Sequence, residues 1–332
     1  NNSGYGIYFD WSRSNTISNN TISSNNYDGV WLFGSDNTTV FGNNILSNNE
    51  DGIYIEESDN NNVSDNIISN NGWRGIYIEE SDNNTVSDNT IGNNSVYGVY
   101  IYSSIYNTLT GNTLTYNFDG IRLGLSNHIT ITNNTIANSN YSGIWVSSSS
   151  TNNTITNNTI SHNRYGVQFS DSNHSTIANN SISNSSWYGM IFDNSNNNTV
   201  SGNTISNNGW RGLHLYSSSD GNLIYNNYFN NTNNAYDDGN NTWNITKTSG
   251  TNIINGSYLG GNFWSDYAGS DTNGDGLGDT DLPYNCSGNI ANGGDWHPLV
   301  TPSTPSIDYI TITFGTENEI PPGNMSTGFT FT

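Results

Sequence analysis

The segment Asp271-Thr-Asn-Gly-Asp-Gly-Leu-Gly-Asp279 has the most specific spacing of metal-ligating residues in the chain. Side-chain oxygens recur at its positions 1, 3 and 5, a glycine follows at position 6, and position 7 offers a backbone carbonyl, as Ca²⁺ loops require. Position 12 is Leu282 rather than the glutamate of an EF-hand, so an Asp/Gly-rich turn without metal is the alternative. The predicted ligands of a structural Ca²⁺ are Asp271, Asn273, Asp275, Leu277, Asp279 and Asp281.

Acidic residues also recur at equivalent positions of a sequence repeat, which predicts that they stack in columns. Like charges about 5 Å apart repel by roughly 1 kcal/mol in water. We therefore expect these side chains to splay into solvent, with cation bridging, including bridging between subunits, as the alternative. The columns are Asp36, Asp59 and Asp82; Glu56 and Glu79; Glu57 and Glu80; and Asp65 and Asp88.

Asp28 and Asp51 form one further repeated pair, and paired carboxyls are what glycosidases use. The pair gives weak support for catalysis, because any repeat generates such pairs automatically. Arg74 and Arg211 each follow a tryptophan in the same Asn-Gly-Trp-Arg-Gly context, so we interpret them as repeat copies rather than as bases of a lyase. We predict no catalytic residues.

Copper chemistry would need clusters of His, Met or Cys side chains. The chain has two methionines and one cysteine, Cys286, which is expected to be buried or to link two chains. The histidines are scattered, so no copper site is expected: His128, His162, His174, His214 and His297.

The elements that position these residues follow from a repeat of about 23 residues. Each repeat opens with a glycine and a short apolar strand, and continues with an apolar-x-x-Asn-x-apolar pattern such as Val40/Asn43/Ile45. β-Branched residues and polar turn formers fill the rest, so a β-solenoid of about ten coils is predicted and helix is disfavoured. Val30, Leu32, Val40 and Ile45 should face inward, and the recurrent asparagines should form a hydrogen-bonded column at a turn. The glycines are Gly6, Gly29, Gly52, Gly75, Gly98, Gly120, Gly143, Gly166, Gly189 and Gly212.

One outward residue lies between the two inward residues of each glycine-started strand, and it is often aromatic. Such a row predicts a protein contact face or a platform for stacking sugars. A third explanation is that aromatic residues simply suit strands. The row contains Tyr8, Trp31, Tyr54, Tyr77, Tyr100, Arg122 and Trp145.

The repeat predicts four regions along the chain. Residues 1–229 form the solenoid, 230–300 an irregular C-terminal cap that holds the Ca²⁺ loop, and 301–306 a Pro/Ser/Thr linker. Residues 307–332 alternate like a β-strand that begins a further module or is donated to a neighbouring subunit. The first coil begins without a cap, so we expect its edge to be covered by another subunit or by a preceding coil.

The segment Asn84-Thr-Val-Ser-Asp-Asn-Thr-Ile91 resembles the right-handed parallel β-helix repeats of NosD-like, CASH-type proteins. The cap segments 260–267, 271–279 and 295–299 are similar to the C-terminal ends of such domains in surface proteins of methanogenic archaea. The resemblance covers about residues 1–300. It implies the fold, whereas members of this family include a copper-site maturation accessory, polysaccharide-modifying enzymes and proteins without activity.

The formal net charge of −22 arises because the chain has only five arginines and one lysine. Such a chain repels nucleic acids and anionic membranes, and no segment is long and apolar enough to span a membrane. About twenty Asn-x-Ser/Thr sequons suit a glycosylated extracellular chain. We therefore predict a non-catalytic cell-surface protein that assembles with itself into an S-layer, sheath or filament, or serves as an adhesin stalk. The alternative is a module that binds or cleaves carbohydrate, with cell-surface glycans as partners.

Overall fold

The computed structural model describes residues 2–301, which form a right-handed parallel β-solenoid of about ten coils. Three parallel sheets run the length of the solenoid, and each coil contributes one strand to each sheet. The fold class predicted from the repeat is confirmed. The expected strand segment 307–332, and the expected linker 301–306 apart from its first residue, lie outside the described residues.

The first sheet has eleven strands, and all except the last begin within one residue of a corner glycine. Its strands are Ile7–Asp10, Val30–Phe33, Ile53–Glu56, Ile76–Glu79, Tyr97–Tyr102, Asp119–Gly124, Ser142–Ser147, Tyr165–Ser170, Tyr188–Asp193, Arg211–Tyr216 and Ala235–Asp237. We number the coils by their corner glycines, from coil 1 at Gly6 to coil 10 at Gly212.

The second and third sheets are built from shorter strands. The second contains Thr16–Ser18, Thr39–Phe41, Asn62–Ser64, Thr85–Ser87, Thr108–Thr110, Thr130–Thr132, Thr154–Thr156, Thr176–Ala178, Thr199–Ser201 and Leu223–Tyr225. The third contains Thr21–Ser23, Asn44–Leu46, Ile67–Ser69, Thr90–Gly92, Thr113–Thr115, Thr135–Ala137, Thr159–Ser161, Ser181–Ser183, Thr204–Ser206, Tyr228–Asn230 and Phe263–Trp264.

The core is a continuous apolar column inside the coils. Val30 pairs with Ile53 and Leu32 with Ile55 in adjacent strands, and all four side chains are fully buried. The predicted inward residues Val40 and Ile45 are fully buried as well. Since one coil cannot cover its own apolar face, this burial depends on stacking of neighbouring coils.

The corner glycines are required by close approach of the backbone rather than by a positive φ. A Cβ atom built on Gly75 would lie 2.5 Å from the Ile91 side chain and 2.6 Å from the Gly98 carbonyl oxygen. Any larger residue at this corner would therefore push adjacent coils apart.

The recurrent asparagines form the predicted hydrogen-bonded column. Asn43 donates from its backbone N and its side-chain Nδ2 to Asn66 Oδ1, at 2.9 and 3.1 Å, and Asn66 repeats this pattern with Asn89. The side chains are almost fully buried. We call this column the asparagine ladder, and its rungs are Asn20, Asn43, Asn66, Asn89, Asn112, Asn134, Asn158, Asn180, Asn203, Asn227 and Asn262.

The cap supplies the last rung and ends the ladder. Asn262 accepts from Asn227, and its own backbone N donates to Asp295 Oδ2 at 2.7 Å. Asp295 also accepts from Trp264 Nε1 at 2.8 Å, and Trp264 packs with Trp243 in the same core as the coils. A carboxylate thus replaces the next amide at the end of the ladder. The remaining cap elements are the antiparallel strands Thr248–Ser249 and Tyr258–Leu259 and the 3₁₀ helix Cys286–Gly288.

Residues 2–301 contain no helix with the length and apolar character of a membrane span.

Candidate functional site on the first sheet

The outer face of the first sheet carries the predicted aromatic row in register. Trp31 stacks on Tyr54 with ring centroids 5.8 Å apart, Tyr54 on Tyr77 at 4.9 Å, and Tyr77 on Tyr100 at 5.2 Å, all within 14° of parallel. The rings therefore cover one another's faces and turn their edges outward. The outward residues of the second and third sheets are mostly Thr, Ser and Asn, so this chemistry belongs to the first sheet alone among the three.

A groove of about 220 Å³ lies on this face over the first four coils. Its floor is part of the aromatic row, and its wall comes from the residues that precede the corner glycines. We call it the acidic groove, and it is lined by Tyr5, Asp28, Trp31, Glu50, Asp51, Tyr54, Trp73, Arg74 and Tyr77.

Asp28, Asp51 and Arg74 stand one above another in consecutive coils and are linked by hydrogen bonds. Asp28 Oδ1 accepts from Asp51 N at 2.7 Å, and Asp51 Oδ1 accepts from Arg74 N at 2.8 Å. Arg74 Nη1 donates to Asp51 Oδ2 at 3.1 Å. The guanidinium also lies 4.0 Å above the centre of the Tyr77 ring. The carboxyl pair and the arginine that the sequence presented separately thus form one unit.

Burial changes the acid–base properties of this unit. Asp28 and Asp51 are only 4% and 3% exposed. Burial raises the pKa of Asp28 to about 7, and the charge of Asp51 adds to the rise. Burial raises the pKa of Asp51 to about 6 against the opposing effect of Arg74. Burial therefore favours retention of a proton on Asp28 at a pH where Asp51, beside Arg74, is already ionised.

The opposite edge of the groove is fixed by the acids Glu56 and Glu79. Trp31 Nε1 donates to Glu56 Oε2 at 3.1 Å, and Tyr54 Oη donates to Glu79 Oε2 at 2.5 Å. Burial, together with the bond to Glu79, raises the pKa of Tyr54, so its phenol stays protonated. The predicted column of Glu56 over Glu79 is present in register. Each of the two carboxylates accepts a hydrogen bond from one of these aromatic side chains.

A second cluster occupies the same face near the other end of the solenoid. The Arg164 guanidinium lies 3.9 Å from the centre of the Trp187 ring, and Arg211 lies 4.3 Å from the centre of Tyr236. Arg211 Nη1 is 2.6 Å from His214 Nδ1. We call this group the arginine cluster, defined by Arg164, Trp187, Tyr188, Trp210, Arg211 and His214.

Comparison with known proteins agrees with this architecture. The family described as "Periplasmic copper-binding protein (NosD)" matches residues 107–269, and the family "Right handed beta helix region" matches residues 1–114. The chain is a NosD-like parallel β-helix repeat protein. No curated protein sequence gives a significant match.

Solved structures similar to this NosD-like chain share its fold at low sequence identity. The Azotobacter vinelandii mannuronan C-5 epimerase AlgE6 A-module has a TM-score of 0.56 at 18% identity, over 73% of this chain and 74% of the module. A double mutant of the periplasmic alginate epimerase AlgG has 0.55 at 16%, over 69% and 68%. The Dettilon tailspike protein has 0.53 at 18%, over 65% of this chain and 55% of its own. These likenesses establish the β-helix fold.

The residues of this NosD-like chain do not fit a copper site. Within residues 2–301, no three His, Cys, Asp or Glu side chains are grouped so that they could hold a metal ion. His128 stacks on Tyr106, and Asn244 Nδ2 lies 3.1 Å from His297 Nδ1. Cys286 is buried, and burial raises the pKa of its thiol, which disfavours the thiolate that metals bind.

The predicted Ca²⁺ loop folds around Asp271. Asp271 Oδ1 accepts from Gly274 N at 2.7 Å, and Oδ2 accepts from Gly276 N at 2.8 Å. Lys247 Nζ pairs with Asp275, and Asn273 Nδ2 donates to Asp279 at 3.1 Å. The structure thus brings Asp271, Asn273, Asp275 and Asp279 into one loop. Leu277 is buried beneath it, and Asp281 has a left-handed φ of 53° beyond it.

Two other predictions from the sequence have structural outcomes. In the column Asp36, Asp59 and Asp82, each carboxylate accepts a hydrogen bond from a backbone N–H of the next coil at 2.7–2.9 Å. Each of these acids therefore already has a hydrogen-bond donor within the chain. Of the sequon asparagines, Asn37, Asn140 and Asn255 are exposed.

Proposed function

We propose that this NosD-like chain is an extracellular or periplasmic glycan-binding module, and that the acidic groove holds the sugar. The observation that carries the proposal is the buried unit of Asp28, Asp51 and Arg74. The equivalent position is Ser142 in coil 7 and Tyr165 in coil 8, so the solenoid does not require acids there. Burying carboxyl groups costs stability, and groups retained at such a cost are common in binding and active sites.

The composition of the groove suits a polyhydroxylated ligand. Aromatic edges and the exposed Trp73 ring offer apolar surface for the carbon skeleton of a sugar. Carboxylates accept hydrogen bonds from hydroxyl groups, and the guanidinium and phenols donate to them. One oxygen of Asp28 and both oxygens of Asp51 already accept from the chain, which favours a binding role over a catalytic one for Asp51.

The comparisons support this proposal at the level of architecture. Two of the similar structures are epimerases of mannuronan and alginate, so the same fold serves proteins that act on polysaccharides. The description of the NosD family as periplasmic and the exposed sequons both favour a location outside the cytoplasm.

Isothermal titration calorimetry with cello-, xylo- and malto-oligosaccharides tests the proposal. Trp73→Ala should weaken binding of the recognised glycan roughly tenfold, because it removes ring contacts at the groove wall. Trp296→Ala is the matched control, since Trp296 is an equally exposed tryptophan on the cap. If no glycan binds, or if both variants bind equally weakly, the groove is not a glycan site.

The same samples test whether the protein is non-catalytic, as the sequence predicts. Reducing ends and unsaturated sugar products should stay at the level of buffer after long incubation with each bound glycan. Formation of either product, and its loss in Asp28→Asn, would make the groove an active site.

Self-assembly at the cell surface is the second candidate, and one observation favours it. Exposed aromatic side chains line one edge of the first sheet along much of the solenoid, and rows of exposed apolar groups are typical of contact surfaces. They are Tyr27, Trp73, Phe118, Trp187 and Trp210. Sedimentation velocity of the chain with and without residues 301–332, over a range of Ca²⁺ and protein concentrations, should show larger species for the full chain. Unchanged monomers throughout would exclude this role.

A structural Ca²⁺ in the cap is the third part of the proposal. Asp271, Asn273, Asp275 and Asp279 share one loop, but within residues 2–301 their carboxylates are not yet grouped as a metal-binding set, so a bound cation would draw them together and replace the Lys247 ammonium beside Asp275. Thermal unfolding should shift to higher temperature with Ca²⁺ and return with chelator, and Asp271→Asn should abolish the shift. A melting temperature that is indifferent to Ca²⁺ in the unaltered protein would leave a metal-free turn.

A further inference from the structure

We propose that the arginine cluster is a separate binding site for the carboxylate groups of an acidic polysaccharide, of which polyuronate chains are the simplest class. The inference rests on the proposed role of the first-sheet face in binding glycans. It adds a second site, about five coils from the acidic groove, and assigns that site a ligand of opposite charge.

The placement of the arginines is the first observation. The chain has five arginines, and four of them lie on the first-sheet face, at Arg74, Arg122, Arg164 and Arg211. They fall on coils 4, 6, 8 and 10. Since coils stack at about 4.8 Å, successive arginines are separated by roughly 10 Å along the solenoid. A sequence with this little positive charge thus places most of it in one regular row.

The second observation is that only two arginines of this row have an acidic side chain close enough to balance their charge. Arg74 pairs with Asp51 at 3.1 Å, and Arg122 lies 3.8 Å from Asp119. Within residues 2–301, Arg164 and Arg211 make no ion pair. The two arginines of the cluster therefore retain their full charge toward a ligand.

The third observation is that both guanidinium groups are held in place by rings. The central guanidinium carbon of Arg164 lies 3.9 Å from the centre of the Trp187 ring, and the Nε of Arg164 is buried without a hydrogen-bond partner within the described part of the chain. Arg211 donates to His214 Nδ1, which therefore acts as an acceptor. Burial, together with the charge of Arg211, lowers the pKa of His214 to about 4, so the ring is neutral at physiological pH. A stacked guanidinium leaves its edge free to bind a carboxylate with two parallel hydrogen bonds.

A polymer fits this arrangement better than a single small anion does. Arg164 and Arg211 lie two coils apart, and an acidic polysaccharide carries carboxylates at regular intervals along its length. Simultaneous contact with both arginines raises the effective concentration of the second carboxylate and so strengthens binding. Trp187 and Trp210, which are 40% and 47% exposed beside the two arginines, offer apolar surface for the sugars of such a chain.

A second copy of this chain is a poorer occupant of the cluster. On the same face, Asp28 and Asp51 are buried and already bonded within their own chain, and Glu56 and Glu79 accept from Trp31 and Tyr54. The near-edge acid Asp193 accepts from Tyr216 Oη at 2.9 Å. The chain as a whole also repels its copies, because its net charge is −22.

The test is titration of the full chain with polygalacturonate and with its methyl-esterified form, in which the carboxylates are neutral. The double variant Arg164→Gln/Arg211→Gln should bind polygalacturonate roughly tenfold to a hundredfold more weakly, as expected for the loss of charge-assisted hydrogen bonds. Arg13→Gln removes one positive charge, against two in the double variant, from an exposed arginine in the loop between Ile7–Asp10 and Thr16–Ser18, and should bind normally. Dextran sulfate, tested in parallel, shows whether a sulfate serves as well as a carboxylate.

The inference is overturned if the methyl ester binds as tightly as the acid, if Arg13→Gln and the double variant lose equal affinity, or if dextran sulfate is the tighter ligand. It is also overturned if sedimentation shows self-association that disappears only in the double variant. Loss of this inference alone leaves neutral glycans bound at the acidic groove and sensitive to Trp73→Ala. Failure of the proposed function leaves neutral glycans unbound, or bound without a specific loss in Trp73→Ala.

Discussion

The acidic groove on coils 1 to 4 and the arginine cluster on coils 8 to 10 occupy the same face of the same sheet, but their charges are compensated differently. In the groove, Asp51 neutralises Arg74 and both are largely buried. In the cluster, Arg164 and Arg211 are stacked on rings and make no ion pair within residues 2–301. The comparison shows that the outward residues of a solenoid can change while its fold is kept. The inward positions that stabilise the fold are apolar and buried in both regions.

The largest expected effect is an opposite response of the two regions to pH. Asp28 has a pKa raised from 3.8 to about 7, so between these values the folded protein binds more protons than the unfolded chain, and stability falls as pH rises. His214 has a pKa lowered from 6.5 to about 4, so its contribution to stability grows as pH rises through that interval. The full shift of Asp28 corresponds to about 4 kcal/mol.

Chemical unfolding at a series of pH values checks this prediction. Asp28→Asn should flatten the loss of stability between pH 4 and 7, whereas His214→Gln should remove part of the gain between pH 4 and 6.5. Asp119 and Asp295 have pKa values raised to about 6 and 7, so both variants are compared with the unaltered protein rather than with a flat baseline. If both substitutions change the pH dependence in the same direction, the two regions are not electrostatic opposites.

The next effect concerns the buried ion pair. Asp51→Ala should lower the free energy of unfolding by about 3 kcal/mol, because it leaves the largely buried Arg74 without its counter-charge. Ser142→Ala is the matched control at the equivalent position of coil 7, where about 1 kcal/mol or less is expected. Equal losses measured by urea unfolding would mean that the ion pair adds nothing to the groove.

The smallest effect tests a feature that the two regions share. Tyr54 Oη donates to Glu79 in the groove, and Tyr216 Oη donates to Asp193 beside the cluster. Tyr54→Phe and Tyr216→Phe should each lower the free energy of unfolding by about 1 kcal/mol. A clear difference between the two variants would sharpen the comparison, since it would show that the groove depends on its edge more than the cluster does.

The fold was predictable because its determinants recur with the repeat. Val40, Asn43 and Ile45 have counterparts in almost every coil, so the core, the asparagine ladder and the aromatic row all follow from the period. The last rung was not predictable, because Asn262 follows Asn227 by 35 residues across the irregular cap. Its place is set by packing of Trp243 and Trp264, which no period encodes.

The candidate site was predictable only in part. The sequence presents Asp28 with Asp51, and separately Arg74 with Arg211, but repeats create such coincidences throughout a chain. Burial decides which coincidence matters, and burial depends on the neighbouring side chains rather than on spacing. Arg74 was therefore interpreted as a repeat copy of Arg211, although the first pairs with an acid and the second does not.

The asparagine ladder also fixes the distances along the solenoid in steps of one coil. Successive rungs are 22, 23 or 24 residues apart within the coils, yet every amide meets the next, so loops absorb differences in length and the ladder does not. Removing one whole coil between coils 4 and 8 would preserve every rung while shortening the distance from the groove to the cluster by about 4.8 Å. The separation of the two sites is therefore adjustable in whole steps, and the length of any polymer that bridges them is set by counting coils.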